Sequence, residues 1–379
     1  MSANVREWLQ SIARGLGWGM QQSFRNKTSM TAPISTTDLD QILTHTRDLW
    51  TEARGQRIFL TGGTGFFGCW LVESFLHANR ALQLDANIAV LTRNPTAFAQ
   101  KCPHLQSDPA LTLIPGDVRD FRLPSTLDSA EFRYVIHAAT EASAKQAAEE
   151  PLAMFQTIVR GTERALQFAS THGTRKFLLT SSGAVYGEQP ASITHLPEDY
   201  AGAPNALARG SVYAEGKRAA ELLCALYAND MLECKVARCF AFVGPHLPLD
   251  AHFAIGNFLR DAMRGAPIQI NGDGTPMRSY LYAADLAIWL WTMLFRAPSC
   301  EAINVGSEEA ISIADLAHTV NASLGSNAPI HIAQQAPPDT PPRQYVPSTR
   351  KAEQVLGLRR TVPLDEAIRR TAIWHGYRL

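Results

Sequence analysis

The segment Thr61-Gly62-Gly63-Thr64-Gly65-Phe66-Phe67-Gly68 decides the fold of this 379-residue chain. The apolar run 57–61 before it predicts a strand, and the residues from 66 onward predict a helix. Glycines at 62, 65 and 68 suit a tight turn, a close approach of the backbone to a pyrophosphate, and close packing of the helix on the strand. The free N–H groups at the start of such a helix face the phosphates. The segment therefore predicts a dinucleotide-binding turn.

Strands and helices alternate along the chain on the C-terminal side of this turn. Further apolar runs predict strands at 88–92, 111–115, 134–138, 176–181 and 235–238, with helices between several of them. Such alternation indicates βαβ units and a parallel sheet. We therefore expect an α/β fold with a Rossmann-type doubly wound parallel sheet, mainly in residues 51–240. Residues 241–379 are expected to form mainly a smaller C-terminal α/β substrate-binding lobe, some of whose segments return to the Rossmann domain.

Residues 1–50 read as an N-terminal helical extension and linker. One apolar helical face is predicted within 5–16, and a stretch rich in Ser, Thr and Asn follows it. Thr37 or Asp38 is then predicted to cap a helix that runs to Ala53.

The composition excludes several classes of protein. Lys and Arg together number 35, as do Asp and Glu, so the chain lacks the basic excess of a nucleic-acid binder. The six cysteines form no Cys-x-x-Cys pair and have no histidines at zinc-finger spacing, so we expect buried free thiols and no metal site. Without a secretory signal or an apolar run long enough for a bilayer, we expect a cytoplasmic protein with no integral membrane segment.

The end of the second predicted strand bears on which dinucleotide binds. An acidic residue there would hydrogen-bond the adenosine ribose and favour NAD. The chain instead has Leu91-Thr92-Arg93-Asn94, and the guanidinium of Arg93 suits a 2′-phosphate. We therefore favour NADP(H), with NAD(H) as the alternative. Asp117 follows the third strand and is expected to meet the adenine amino group.

A serine, a tyrosine and a lysine form a candidate acid–base group. Tyr213 and Lys217 stand four residues apart on a predicted helix, so both lie on one face. A nearby ammonium favours the phenolate, so we expect Lys217 to move the tyrosine pKa from about 10 toward neutrality. Ser182 lies where the fifth strand ends, at the edge where open α/β sheets bind ligands, and its hydroxyl suits a substrate hydroxyl or carbonyl.

These motifs and their order resemble the extended short-chain dehydrogenase/reductases, in particular the nucleotide-sugar epimerase/dehydratase family. The resemblance runs from about residue 57 to residue 358. It is carried by TGGTGFFG (61–68), GDVRD (116–120), HAAT (137–140), SSGAVYG (181–187), YAEGK (213–217), ARCFAFVGP (237–245) and INGDGTPMRSYLYAADLA (270–287).

The resemblance implies roles for individual residues. Ser182 aligns with the family's catalytic Ser/Thr, Tyr213 with its acid/base and Lys217 with the partner lysine that also holds the nicotinamide ribose. Arg278 aligns with an arginine that contacts the nucleotide diphosphate, which suits a guanidinium fork. A homodimer through helices near 151–171 and 211–229 is also implied. The expected cofactor-binding residues are Gly62, Thr64, Gly65, Phe66, Phe67, Gly68, Arg93, Asp117, Val118, Ala138, Ala139, Thr140, Tyr213 and Lys217.

Departures from the family pattern narrow the reaction. Family dehydratases carry Asp-Glu directly after the active-site Ser/Thr, and the sugar-acid decarboxylases carry Glu two residues before the motif tyrosine. This chain has Gly183 and Ala184 there, which cannot supply the extra proton-transfer group. Ala241 replaces an asparagine near the substrate phosphates, so we expect Arg278 and Asn257, with Arg343 as a further contact, to bind the pyrophosphate.

Two reactions therefore remain as the favoured candidates. We favour a 4-ketoreductase that acts on a nucleotide-linked 4-keto-6-deoxyhexose, since NADPH is the usual net reductant, and we keep a nucleotide-hexose 4-epimerase with tightly bound NAD(P) as the alternative. A 4,6-dehydratase is disfavoured by Gly183. A reductase of a non-sugar ketone is disfavoured because it gives Arg278 nothing to bind. A dinucleotide-binding regulator without activity is disfavoured by the intact Ser182, Tyr213 and Lys217.

Overall fold

The structure is a computed structural model that describes residues 31–140, 144–251, 253–338 and 340–379. Its strands are β1 (Arg57–Thr61), β2 (Asn87–Thr92), β3 (Leu111–Pro115), β4 (Tyr134–His137), β5 (Lys176–Ser182), β6 (Glu233–Cys239), β7 (Phe242–Val243), β8 (Ile268–Ile270), β9 (Met277–Arg278), β10 (Leu281–Tyr282), β11 (Ala302–Val305), β12 (Ile311–Ser312), β13 (Ile330–Ile332) and β14 (Gln344–Tyr345).

The helices lie between these strands and after them. The α-helices are α1 (Thr36–Thr46), α2 (Phe66–Leu82), α3 (Pro95–Lys101), α4 (Ala144–Glu149), α5 (Pro151–Thr171), α6 (Val212–Tyr227), α7 (Ala254–Met263), α8 (Ala283–Arg296), α9 (Ile313–Leu324), α10 (Arg350–Leu356) and α11 (Leu364–Trp374). Short 3₁₀ segments occur at Arg47–Ala53, Pro103–Leu105, Ser125–Leu127, Gly183–Tyr186 and Arg209–Ser211.

A seven-stranded parallel sheet forms the centre, in the order β11-β6-β5-β4-β1-β2-β3. The chain winds outward from β1 in one direction through β2 and β3, and then in the other through β4, β5 and β6. The order therefore reverses between β1 and β4, where Thr61 pairs with His137. This is the doubly wound Rossmann arrangement, so the predicted fold class is confirmed. Such a reversal places a ligand crevice at the carboxyl ends of the strands.

Both faces of the sheet are covered, as parallel sheets require. Within β1, Ile58 and Leu60 pack into one apolar cluster and Phe59 packs into the other. Helix α8 is buried along nearly its whole length on the first face, and α5 and α6 cover the second. Successive side chains of a strand therefore pack alternately against the helices on one face of the sheet and those on the other.

The C-terminal half adds small sheets around the carboxyl edge. Strands β8 and β13 pair in parallel, β9 lies between β12 and β14, and β10 pairs with β7. Strand β11, although late in the sequence, pairs with β6 at the edge of the main sheet. The division into domains itself stays a prediction.

The described part of the N-terminal extension packs on the sheet layers. Ser35, rather than Thr37 or Asp38, caps α1, because its Oγ accepts the Asp38 amide and donates to the Asp38 carboxylate. Tyr282 Oη then donates to Asp38 at 2.9 Å, which fixes the helix against the C-terminal half. The predicted apolar face within 5–16 lies outside the described residues. Within the described ranges, no helix combines the length and apolarity needed to cross a bilayer.

Candidate active site

The glycine turn after β1 has the backbone geometry that the sequence predicts. Gly62 has a φ of +77°, and a Cβ there would lie 2.5 Å from the carbonyl carbon and oxygen of Ala138. A Cβ on Gly68 would lie 2.2 Å from the carbonyl oxygen of Gly62. Helix α2 therefore begins directly against the turn. Gly65 is its N-cap residue and has no side chain to cover the N–H groups of the first turn. This cradle fits a dinucleotide pyrophosphate.

The aromatic and polar residues of the turn have partners in the structure. Phe67 packs edge-on against Phe242 with ring centroids 5.0 Å apart, and Phe66 packs against Phe67. The carbonyl oxygen of Thr64 accepts a hydrogen bond from Lys101 Nζ at 3.2 Å. These contacts fix the turn between the sheet and the C-terminal half.

The ends of β1 and β4 are joined by a buried hydrogen-bond chain. The Thr61 hydroxyl lies 2.8 Å from His137 Nδ1 and accepts the Ala139 amide at 3.2 Å, and His137 Nε2 lies 3.1 Å from Thr162 Oγ1. Thr162 donates its own hydrogen to the Ile158 carbonyl, so His137 donates from Nε2 and accepts at Nδ1. Burial and the nearby Lys217 charge lower the pKa of His137 to about 3. A neutral histidine therefore fixes the strand ends around the crevice.

Lys217 lies buried beneath the same edge. Its Nζ donates to Thr140 Oγ1 and to the Thr180 carbonyl oxygen, both at 2.6 Å. Burial lowers the pKa of Lys217 to about 8. The structure thus makes Thr140, an expected cofactor contact, a direct partner of the lysine. Ala138 and Ala139 lie between the end of β4 and Thr140.

Ser182 and Tyr213 are joined by a side-chain hydrogen bond, and the pKa of the tyrosine differs from the expectation. Burial raises the pKa of Tyr213 to about 12, and the hydrogen bond with Ser182 offsets only part of this rise. Burial therefore outweighs any effect of Lys217 on the pKa of Tyr213, and the Lys217 ammonium donates to Thr140 and to the Thr180 carbonyl. With a pKa of about 12, Tyr213 is a neutral hydroxyl at pH 7, which suits a proton donor.

Two aromatic residues that the sequence reasoning did not select complete the group. A Cβ on Gly183 would lie 2.7 Å from the Tyr345 hydroxyl and 2.6 Å from the Phe240 ring. The Tyr345 hydroxyl also hydrogen-bonds with Ser182. Burial raises the pKa of Tyr345 well above its ordinary value, so this group too is a neutral hydroxyl. Phe240 lies within the quoted motif 237–245, but Tyr345 follows a Pro-rich stretch and carries no sequence signal.

The two arginines that were expected to bind the substrate diphosphate, Arg278 and Arg343, lie near Tyr345. Arg278 stands over the Tyr345 ring at 5.8 Å, and Tyr345 packs on Phe240 with centroids 4.7 Å apart. The Arg343 carbonyl accepts the Met277 amide at 2.8 Å, so β9 and β14 bring both arginines to one region.

Asn257 lies on α7, where its Oδ1 accepts a hydrogen bond from Arg260 at 3.1 Å. The described contacts of Asn257 do not join it to Ser182, and its substrate role stays a prediction.

The residues expected around the adenosine lie at the ends of β2 and β3. Arg93 is exposed just after β2, close enough to Asp117 to help lower the pKa of that carboxyl. Asp117 is held mainly by Arg119, whose Nε lies 2.8 Å from its Oδ1. Val118 is buried, and a Cβ on Gly161 would lie 2.9 Å from it. The roles of these residues in cofactor binding stay predictions.

Comparison with known proteins matches the chain to one family. The family model described as the NAD dependent epimerase/dehydratase family matches residues 58–306. UDP-glucuronic acid decarboxylase 3 of Arabidopsis thaliana is 31% identical over 314 residues, which cover 82% of this chain and 86% of that protein. UDP-glucuronic acid decarboxylase 1 of Xenopus tropicalis is 29% identical over 323 residues, which cover 85% of this chain and 72% of that protein.

Solved structures show the same fold. UDP-glucose 4-epimerase from Thermotoga maritima superposes with a TM-score of 0.70 at 20% identity, over 85% of this chain and 99% of that one. dTDP-glucose 4,6-dehydratase from Streptomyces venezuelae, solved with NAD bound, also superposes with a TM-score of 0.70. The two chains are 23% identical, and the match covers 85% of this chain and 97% of that one. With the dinucleotide cradle, the Ser182–Tyr213–Lys217 group and these matches, the chain is an enzyme that belongs to the NAD-dependent epimerase/dehydratase family.

Proposed function

We propose that this enzyme transfers hydride between a nicotinamide cofactor and C4 of a nucleotide-activated sugar, and that it works as an NADP(H)-dependent 4-ketoreductase on a 4-keto-6-deoxyhexose. The observation that carries the proposal is the group of hydroxyls at the carboxyl edge of the sheet. Ser182 and Tyr213 lie together there, both are neutral, and Lys217 lies behind them.

The space beside Ser182 supports reduction over elimination or decarboxylation. Both of those reactions need a further proton-transfer group next to the reacting carbons. At Gly183 that space holds the Phe240 ring and the Tyr345 hydroxyl, and Ala184 has no acidic atom. A phenol at its ordinary pKa or above does not act as a base at neutral pH. The similarity to decarboxylases is therefore proposed to reflect shared ancestry and shared handling of C4 rather than the same product.

Each residue of the site has a separate role in the proposed reduction of the C4 carbonyl. NADPH, when bound in the glycine cradle, supplies the hydride. The hydroxyls of Ser182 and Tyr213 bind the C4 carbonyl oxygen, and Tyr213 gives its proton to that oxygen as the alcohol forms. The Lys217 ammonium lowers the cost of the charge left on the phenol oxygen. Arg278 and Arg343 are proposed to bind the diphosphate, as guanidinium groups do.

The test is Tyr213→Phe, with Tyr227→Phe at the far end of α6 as the control. A positioned general acid contributes roughly 10² to 10⁴ in rate. We expect Tyr213→Phe to lose at least about 10² in turnover, to keep the NADPH affinity of the wild type, and to melt at the same temperature. Tyr227→Phe should keep full activity. An active Tyr213→Phe enzyme would show that the proton comes from another group.

A 4-epimerase is the second candidate, because the family that the chain matches is named for NAD and for epimerisation. An epimerase keeps its cofactor and returns the hydride to the opposite face of the sugar. Protein purified without added cofactor distinguishes the two. Bound NAD(P) that survives gel filtration at about one equivalent per chain supports the epimerase, and cofactor-free protein supports the reductase.

We also propose a homodimer through α5 and α6. The two helices pack side by side on the sheet, and three large apolar side chains on them stay exposed: Leu152 at 67%, Leu222 at 60% and Leu226 at 71%. A second copy of the chain would bury them. Sedimentation of the wild type as a dimer and of Leu222→Asp as a monomer supports this interface, and a wild-type monomer contradicts it.

A further inference from the structure

Two cysteines and a histidine from distant parts of the chain meet in the interior. Cys69 lies on α2, Cys102 directly follows α3, and His246 lies in the loop after β7. One ligand atom of each residue lies within 4.8 Å of those of the other two, and all three residues are buried. This Cys69–Cys102–His246 cluster takes no part in the proposed C4 chemistry.

The imidazole of His246 is held in a way that leaves one nitrogen without a partner. Its Nε2 lies 3.2 Å from the Glu73 carboxylate, which also accepts the Ile34 amide at 2.8 Å and lies 3.3 Å from His104 Nε2. The ring packs on Trp374 with centroids 4.7 Å apart. His246 Nδ1 is buried and has no hydrogen-bond partner among the described residues. An unpaired buried nitrogen is costly.

This pattern is that of a metal ligand. A histidine that binds a metal usually donates its other N–H to a carboxylate, which fixes the ring. Glu73 accepts in that way from Nε2, so Nδ1 is the nitrogen available to a metal. Thiolate and imidazole together select zinc among the common divalent ions. Two thiolates, one neutral imidazole and one Zn²⁺ sum to zero charge, which suits a buried site.

We propose that the Cys69–Cys102–His246 cluster binds one zinc ion through three protein ligands. Zn–S bonds of about 2.3 Å and Zn–N bonds of about 2.0 Å place tetrahedral ligand atoms roughly 3.5–3.8 Å apart. Ligand atoms already within 4.8 Å reach that spacing by small side-chain rotations. The fourth position is left to a water. Thr31 Oγ1 lies 3.4 Å from Cys102 Sγ, on the ligand shell of that thiol.

A lysine beside the cluster makes its shorter contact elsewhere. Lys101 Nζ lies 4.0 Å from Cys69 Sγ and makes its shorter contact, 3.2 Å, with the Thr64 carbonyl of the glycine turn. The zinc would therefore join the helix of the glycine turn to the loop of His246, and Lys101 would link both to the turn itself. Because metal binding adds to the free energy of folding, the ion would stabilise the junction between the sheet and the C-terminal half.

The first test is the metal content of the full chain purified under reducing conditions, measured by inductively coupled plasma mass spectrometry. We expect about one zinc per chain. Cys69→Ser and His246→Gln should lose it. Cys224→Ser is the matched control, because Cys224 is also buried and interacts with a second buried cysteine, Cys234, but belongs to no such cluster among the described residues. The proposal is overturned if Cys69→Ser keeps its zinc, or if Cys224→Ser is the one variant of the three that loses it.

The second test uses only the wild-type chain, so it does not depend on whether a variant folds. The protein is stripped with a chelator, titrated with Zn²⁺ and treated with an alkylating reagent at a urea concentration where the buried thiols of the metal-free chain react, and the labelled thiols are mapped by mass spectrometry. We expect Zn²⁺ to protect Cys69 and Cys102 but not Cys300, and to raise the melting temperature. Labelling of Cys69 and Cys102 that is unchanged by Zn²⁺, or a Cys69–Cys102 disulfide in the reduced preparation, overturns the proposal.

Discussion

Two glycines of the turn after β1 are expected to respond differently to the same added methyl group. In Gly68→Ala the new Cβ would lie 2.2 to 2.4 Å from backbone atoms of Gly62 and Gly63, which cannot move aside as a side chain can. Helix α2 must then shift by about 1 Å, and such overpacking costs about 1–3 kcal/mol. The better helix propensity of alanine returns at most about 1 kcal/mol.

Gly65→Ala meets no such obstacle. Its nearest atom is the Gly62 carbonyl oxygen at 3.5 Å, an ordinary contact, and its φ of −84° suits alanine. As an N-cap change it costs below about 1 kcal/mol. Gly65 is instead the position where the backbone is expected to approach the pyrophosphate. Losing one hydrogen bond to a charged phosphate costs about 1.5–3 kcal/mol, or a rise of about 10- to 100-fold in Kd.

The two variants therefore separate stability from binding. Chemical denaturation gives the free energy of unfolding, and fluorescence titration gives the Kd for NADPH. Gly68→Ala should lose about 2 kcal/mol of stability. Gly65→Ala should stay within about 1 kcal/mol of the wild type and bind NADPH at least about 10-fold more weakly. Gly210→Ala, where a Cβ meets nothing within 4 Å, is the control. Equal destabilisation by both variants, or wild-type binding by Gly65→Ala, would refute the assigned roles.

Three further predictions concern the site. The pKa of Lys217 is lowered to about 8, so its charged form is lost as pH rises through that value. The reduction rate should then be flat below pH 7 and fall above about 8, whereas a rate that rises from pH 7 to 9 would indicate a phenolate base. Arg93→Ser should raise KM for NADPH about 10-fold and leave KM for NADH unchanged, and an equal change in both would remove Arg93 from cofactor selection. Tyr345→Phe removes a hydrogen bond to Ser182 that is worth about 1 kcal/mol, so it should lower kcat about fivefold and the free energy of unfolding by no more than about 1 kcal/mol, and an unchanged kcat would make Tyr345 a packing residue only.

Local sequence pattern was sufficient for the main sheet and for selecting Ser182, Tyr213 and Lys217 as candidates, whose catalytic roles stay predictions. The strand pattern around residues 57–61 and 176–182 is strong because both faces of a parallel sheet are buried, so each strand has an uninterrupted apolar centre, at 58–60 and 177–179. Ser182, Tyr213 and Lys217 were found because they are fixed by a strand end and by spacing on a helix. The cap of α1 was placed two or three residues too late, because Ser, Thr and Asp are all good caps and lie close together there.

The same approach could not find residues that meet only through tertiary structure. Strand β14 has two residues, which are too few to show a strand period, so the pattern does not single out Tyr345. Cys69, Cys102 and His246 are far apart in sequence, and a spacing rule for zinc sites cannot detect them. Helical spacing placed Lys217 on the face of Tyr213, but the direction of its ammonium depends on Thr140 and on the Thr180 carbonyl.

The most direct test of net reduction at C4 is an assay of the purified enzyme with NADPH or NADH. The panel contains nucleotide-linked 4-keto-6-deoxy sugars, the parent nucleotide hexoses and UDP-glucuronic acid, and both the reduced-nicotinamide absorbance and the product are followed. We expect NADPH to be consumed in stoichiometric amounts with a keto sugar. Interconversion of two nucleotide hexoses without net loss of cofactor, or release of carbon dioxide from UDP-glucuronic acid, would contradict the reductase and assign the enzyme to epimerisation or decarboxylation.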